Sequence, residues 1–259
     1  MKYLKLYKIF IKNSFIREFS DPLNIIISHI AVLLWMSSIV ILYKVIFTHL
    51  DTIVGWTWSE TLLLIGTFYI VDGIIFTLFY WNFLKLKEYI KKQKLDGILT
   101  KPVSSQFVMS TQEIQASMYI QFIVAIVVVI LGLSQTEIRV DLMHIGLYLF
   151  FLVCASIIAY TVWFLSMCSL FWIPSAENII QFFEEIFNFA VYPSQIYSGV
   201  FKIIFTFIIP LALMVTIPSQ ILTQEVSHVT LIITFLITIL LFILTKIAWH
   251  LGLRRYTNI

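Results

Sequence analysis

Apolar residues in this chain gather into long unbroken runs, with the polar residues collected between them, and neither a two-residue nor a 3.6-residue alternation carries the pattern. The runs are Leu23–Phe47, Thr61–Phe83, a stretch within Gln106–Leu133, Leu142–Trp172 and one including Leu231–Ile247. Each is of the order of the ~20 residues a helix needs to cross the hydrocarbon of a bilayer. Backbone groups in lipid must be satisfied inside the segment, so continuous apolar runs predict helices rather than barrel strands. Asp21-Pro22 supplies an N-cap and a first-turn proline for the first span. The third span is expected to be entered through a more polar helical stretch carrying Gln112, Glu113 and Gln115, and the fourth is long enough to tilt.

Two stretches are less regular. Tyr3, Leu6, Tyr7, Phe10, Ile11, Ser14 and Phe15 fall near helical spacing, with Lys5, Lys8 and Lys12 on the other side, which predicts an amphipathic helix lying in the membrane interface. Beyond Ile173-Pro174, Ser175–Tyr197 carries Glu177, Glu184 and Glu185, whereas Lys202–Pro218 is apolar but interrupted by Pro210. One of the two is a full span and the other is not. With either choice the chain is an all-α polytopic membrane protein of six transmembrane helices, a single transmembrane domain over residues 1–259.

Composition agrees: 60% of residues are hydrophobic, mean hydropathy is +0.96 and 12% are charged, about half the share usual in soluble domains. The net charge of +3 matters through its placement. Basic residues concentrate before Phe19, between Lys85 and Lys101, and at Arg254-Arg255, whereas the loops Thr48–Glu60 and Ser134–Asp141 together hold Arg139 alone. Both termini and the Lys-rich loop are therefore expected in the cytoplasm. The lysines spread through residues 1–20 do not make a secretory signal. Cys154 and Cys168 would lie about 21 Å apart on one helix, too far to bridge, and read as packing residues. Nothing here points to nucleic acid.

The Lys-rich loop reads Lys94-Leu95-Asp96-Gly97-Ile98-Leu99-Thr100-Lys101-Pro102 after a helix-like Leu84–Lys92. It resembles the cytoplasmic loop of type-2 ATP-binding-cassette exporter permeases, in which a Leu-Asp pair, a Leu three residues later and a Lys/Arg-Pro pair recur between the second and third spans. Leu95, Asp96, Leu99, Lys101 and Pro102 match; where the family often has a glycine before the Leu-Asp pair, this chain has Gln93-Lys94. Tyr192-Pro193-Ser194-Gln195-Ile196-Tyr197, followed by the Pro210 and Pro218 interruptions, is similar to the family's extracellular return before its last span. The resemblance implies a short fifth span at Glu177–Val191 and a re-entrant Lys202–Pro218 in the outer leaflet; hydropathy alone would make Lys202–Pro218 the fifth span.

What the resemblance implies for function is a permease subunit of a bacterial inner-membrane exporter, paired with a second permease, identical or related, in membrane lipid. A separate ATPase would dock on Lys87, Tyr89, Ile90, Lys91, Leu95, Asp96, Leu99, Lys101 and Pro102. No glycine precedes a Lys-Ser or Lys-Thr pair, so a phosphate-binding loop is absent from the sequence and ATP and magnesium would belong to that partner. On its own, the loop also reads as a solvated positive-inside segment. Asp72, near the middle of the second span, is either a polar point on a substrate path or subunit contact, or a packing residue beside Gly66 and Gly73. Glu184-Glu185 lacks the arginine and histidine helices that follow the paired glutamates of one membrane-peptidase family, and His29, His144 and His228 are scattered, which disfavours catalysis and metal binding. A gradient-driven carrier or channel is the principal rival, and Asp72 is its main support.

Overall fold

The computed structural model describes residues 2–136, 140–174, 178–223 and 226–257. Arg139 and Glu177, which served above for the charge count and for the start of the fifth span, lie outside the described residues. The described residues are helical throughout apart from turns and one isolated bridge, Ile53 to Trp56, which closes a tight turn with Val54 and Gly55 both at positive φ. Among the described residues, five helices are long and apolar enough to cross a membrane: Pro22–Ile46, Trp58–Lys91, Ala116–Ser134, Leu142–Phe171 and His228–Tyr256.

Helix α1 covers Lys2–Phe19, and α2 covers Pro22–Ile46, with Asp21 accepting from the Asn24 amide at 3.2 Å and Pro22 in the first turn, as expected. Thr57 and Glu60 form a reciprocal capping box that starts α3, Trp58–Ile75. The helix does not end near Phe83, where the apolar run stops. It widens into a π turn at Phe76–Tyr80 and continues as α4, Trp81–Lys91. Hydropathy marks where lipid contact ends; the helix goes on because Phe83, Leu86 and Ile90 recur at helical spacing and are buried.

Next come α5, Asp96–Leu99, and α6, Ser105–Thr111, started by the Ser104 side chain. The third span is not one helix from Gln106. It is interrupted after α6 and restarts through a 3-10 turn at Ala116–Met118 into α7, Tyr119–Ser134. Asp141 caps α8, Leu142–Cys168, accepting from the His144 amide at 2.9 Å and from the His144 ring, and these bonds hold its carboxyl below the usual range. Both cysteines on α8 are free and buried.

After α8 the ambiguous region resolves into pieces shorter than a span: α9, Ile179–Asn188; α10, Gly199–Ile203, running into a π turn at Ile204–Ile208; and, beyond the break at Ile209-Pro210, a second π turn, Ala212–Thr216, leading to α11, Ile217–Ile221. Helix α12, His228–Thr257, closes the chain.

In cross-section α2 packs on α7, α7 on α3, α3 on α8 and α8 on α12, with residues 211–221 filling the angle between α3 and α8. Helix α3 is buried along most of its length, whereas α2 and α12 expose theirs. The α3–α7 contact is set by two glycines. A Cβ on Gly66 would lie 2.5 Å from Val129 Cγ2 and 3.1 Å from the Ala125 carbonyl, and one on Gly132 would lie 2.9 Å from Leu63 Cγ. Small residues here let the two backbones approach, the common device of helices that meet in lipid.

The bundle has a lysine end, where α4, α5, α6, α1 and the end of α12 meet, and an opposite end. Trp56 reaches Gln195 at the opposite end (3.1 Å), and Ile221 lies there beside Met143 and His228. Residues 199–221 therefore start and finish at the same end of the bundle, folded back at Pro210.

Candidate functional site

The lysine-end turn begins where α4 stops. The Gln93 amide donates to Ile90 O at 3.3 Å and the Lys94 amide to Tyr89 O at 2.9 Å, with Gln93 itself at φ +51. This pairing is a Schellman stop, whose left-handed residue is usually glycine. The chain turns back so that Leu95 drops into the core, fully buried, its amide donating to the Tyr256 hydroxyl at 3.1 Å. Ile98 follows it inward, and the Ser104 amide donates to the Tyr3 hydroxyl at 3.3 Å. Three separate parts of the chain, α1, α4 and the tail of α12, thus hold a turn of fixed shape.

Of the residues expected to meet a partner, Lys91, Asp96, Lys101 and Pro102 are exposed, Lys87, Tyr89 and Leu99 are half-buried, and Ile90 and Leu95 are buried in this chain's own core. Leu95 and Ile90 anchor the turn from beneath. Its outer surface is basic, with Lys92 and Lys94 also exposed and Lys92 in an i,i+4 pair with Glu88.

The break between α6 and α7 is the second constructed feature. Five consecutive amides, at Glu113, Ile114, Gln115, Ala116 and Ser117, have no helical acceptor and find partners elsewhere: Asn82 Oδ1 (2.9 Å), Ser14 Oγ (3.1 Å), Thr77 O (2.9 Å) and the two carboxylate oxygens of Glu18 (2.9 and 2.6 Å). Asn82 also donates to Glu113 O, and the Glu113 carboxylate pairs with Arg17 and Lys85. A carboxylate at the start of α7 suits the partial positive charge of a helix N-terminus. Sequence placed Glu113 and its glutamines near an interface, but Glu18 and Asn82 carried no signal, since each acts about 100 or 30 residues away in the chain.

Mid-bundle, Asp72 is half-buried and accepts from Gln121 Nε2 at 2.8 Å, the same amide that donates to Tyr69 O at 3.1 Å. Its partner among the described residues is a neutral amide and no cation. Glu184 on α9 accepts from the Tyr80 hydroxyl at 3.2 Å and lies within electrostatic reach of Asp72. Glu185 and Gln181 are exposed beside it, so α3 and α9 together carry an acidic seam on an otherwise apolar bundle.

The seam, the anchored basic turn and the folded-back segment coincide with a match over most of the chain: the model of a family described as ABC-2 family transporter protein fits residues 33–259. The chain belongs to the ABC-2 transporter family. No curated protein matches it, nor does any solved structure. It is accordingly a membrane permease component of an ABC transporter. In this ABC-2 permease the basic turn follows α4, the continuation of α3, while α7 packs on α3, and α3 also carries Asp72. Asp72 was legible in the sequence as a lone carboxylate in a span. Its neighbours Gln121 and Glu184 were not, because they come from different helices.

Proposed function

We propose that this ABC-2 permease forms half of an export path and is driven by a separate ATPase that docks on the exposed face of the turn at Lys87–Pro102. The observation that carries this reading is the continuity of α3 with α4 and the turn: a push on Lys91, Asp96, Lys101 or Pro102 acts on a fixed surface attached to the central helix of the bundle. ATP and magnesium belong to the partner, whose nucleotide-driven closure moves the turn. The direction, export, and a bacterial inner membrane follow from the family resemblance.

The chain crosses six times on this reading, with both ends and the turn in the cytoplasm. The residues from Ile179 to Val191 would make a short fifth crossing, about 21 Å of helix, thinner than the ~30 Å hydrocarbon. Residues 199–221 then dip into the outer leaflet and return, and α1 lies in the inner interface. The second permease covers the acidic seam, because carboxylates facing lipid are costly and pair or face water.

The test is affinity purification from native cells with assay of ATP hydrolysis. Because Leu95 is buried, the docking variants are the exposed Asp96→Lys and Lys101→Glu, with amounts and melting matched to the unmodified chain. A co-purifying ATPase lost in these variants is the expected result. A well-folded chain that brings down no ATPase would favour a gradient-driven carrier working through Asp72 and Glu184.

A further inference from the structure

A cavity of about 430 Å³ lies at the lysine-end half of the bundle, between the end of α3, α6, α8 and α12, within the ~300–1,000 Å³ usual for ligand sites. Its walls include Ile74, Leu78, Leu152 and Ile157, and Gln106, also in the lining, donates to the Tyr160 hydroxyl at 3.4 Å. Two hydroxyls in the lining are turned into their own helices, Ser156 donating to Leu152 O at 2.8 Å and Thr111 to Phe107 O at 2.7 Å, so the surface they present is effectively hydrocarbon. At the α6 side Tyr160 meets Ser110 at 2.9 Å. Val153 and Phe242 at the margin are exposed on the outside of the bundle, so the mouth opens sideways, toward lipid.

Among the described residues, one cation lines this mouth, Lys246. Its ammonium sits 5.4 Å from the centre of the Phe242 ring, one helical turn toward the opposite end of the bundle. Snorkelling would carry a lysine at this position toward the water at the lysine end. Helical side chains, however, lean toward their helix N-terminus, and for α12 that direction leads away from the lysine end and along the cavity. Lys246 also has no carboxylate partner among the described residues. An unpaired cation in an apolar span is costly, and an anion at the mouth offsets that cost.

We propose that this cavity holds an anionic membrane lipid from the leaflet at the lysine end, one acyl chain between α3, α8 and α12 and the phosphate on Lys246. Shape and charge both point to this occupant: a sideways opening admits a lipid without passage through water, the walls match an acyl chain, and the single charged group is positive. The lipid would touch α6, which follows the docking turn directly, so its presence stiffens the seat of that turn.

The experiment is native mass spectrometry of the full chain released from detergent with equal amounts of phosphatidylglycerol and phosphatidylcholine of identical acyl chains. The unmodified chain should retain the anionic lipid in about fivefold excess, as for one basic residue near a membrane surface. K246Q should bring that ratio to one, while Lys202→Gln, outside the cavity, leaves it unchanged. Ser156→Trp should fill the cavity and displace both lipids; should that variant fail to fold, Val153→Trp at the exposed mouth serves instead. Equal retention of the two lipids by the unmodified chain, or an undiminished preference in K246Q, would overturn the proposal, and neither result bears on ATPase docking.

Discussion

Gln93 sits in a backbone region that costs an ordinary L-residue about 1–2 kcal/mol. Gln93→Gly should therefore raise the stability of the lysine-end turn by up to about 1 kcal/mol, and Gln93→Val should lower it by more, both read from thermal melting and from protease nicking between residues 91 and 104. Glu18 accepts two amides that otherwise have nothing to bond. Glu18→Ala should cost about 1–3 kcal/mol, and Glu18→Gln, which keeps one acceptor oxygen, less. Hydrogen exchange at Ala116 and Ser117 should speed up in the alanine variant, and an unchanged rate would mean that Glu18 does not protect these amides. Asp72→Asn should leave folding intact, since Gln121 still has an oxygen to donate to, while altering transport; unchanged transport at matched protein levels would exclude a required charge.

At the scale of elements, what the sequence made legible was set by local chemistry. Asp21-Pro22 starts α2, and the long runs around Phe68, Phe151 and Phe235 become α3, α8 and α12, because lipid length and capping are properties of neighbouring residues. The third span was misjudged at its start for the opposite reason. Nothing between Gln106 and Gln115 forbids a helix, and the break exists because Ser14, Glu18, Thr77 and Asn82 offer those amides better partners. Likewise Leu95 looked like a docking residue by motif, and only the fold shows it pointing inward. Gly66→Ala tests the element contact: its Cβ would collide with Val129 and the α7 backbone, and overpacking of this kind costs about 1–3 kcal/mol, measurable as a lower melting temperature. The Asp141 cap gives a pH signature at the start of α8. Its carboxyl is lowered by the His144 amide and ring, so the cap is complete above the ordinary carboxylate range and is lost only as pH falls through the lowered value. Amide exchange at His144 should accelerate only in strong acid.

For the molecule as a whole, the uneven exposure of its helices matters most. Helix α3 is enclosed, while α2 and α12 turn large apolar residues such as Leu34, Trp35, Ile232 and Leu236 outward, as lipid-facing or partner-facing helices do. The acidic seam at Asp72, Glu184 and Glu185 is the part of that outer surface which lipid would not tolerate.

The close glycine contacts at Gly66 and Gly132 carry a mechanical implication. The turn proposed to meet the ATPase leaves the bundle on α4, the continuation of α3, and returns to it through α6 and α7, and α3 and α7 are keyed backbone to backbone. A force on the turn would reach both roots together, so that Asp72 on α3 and Gln121 on α7, bonded at 2.8 Å, would move as a unit.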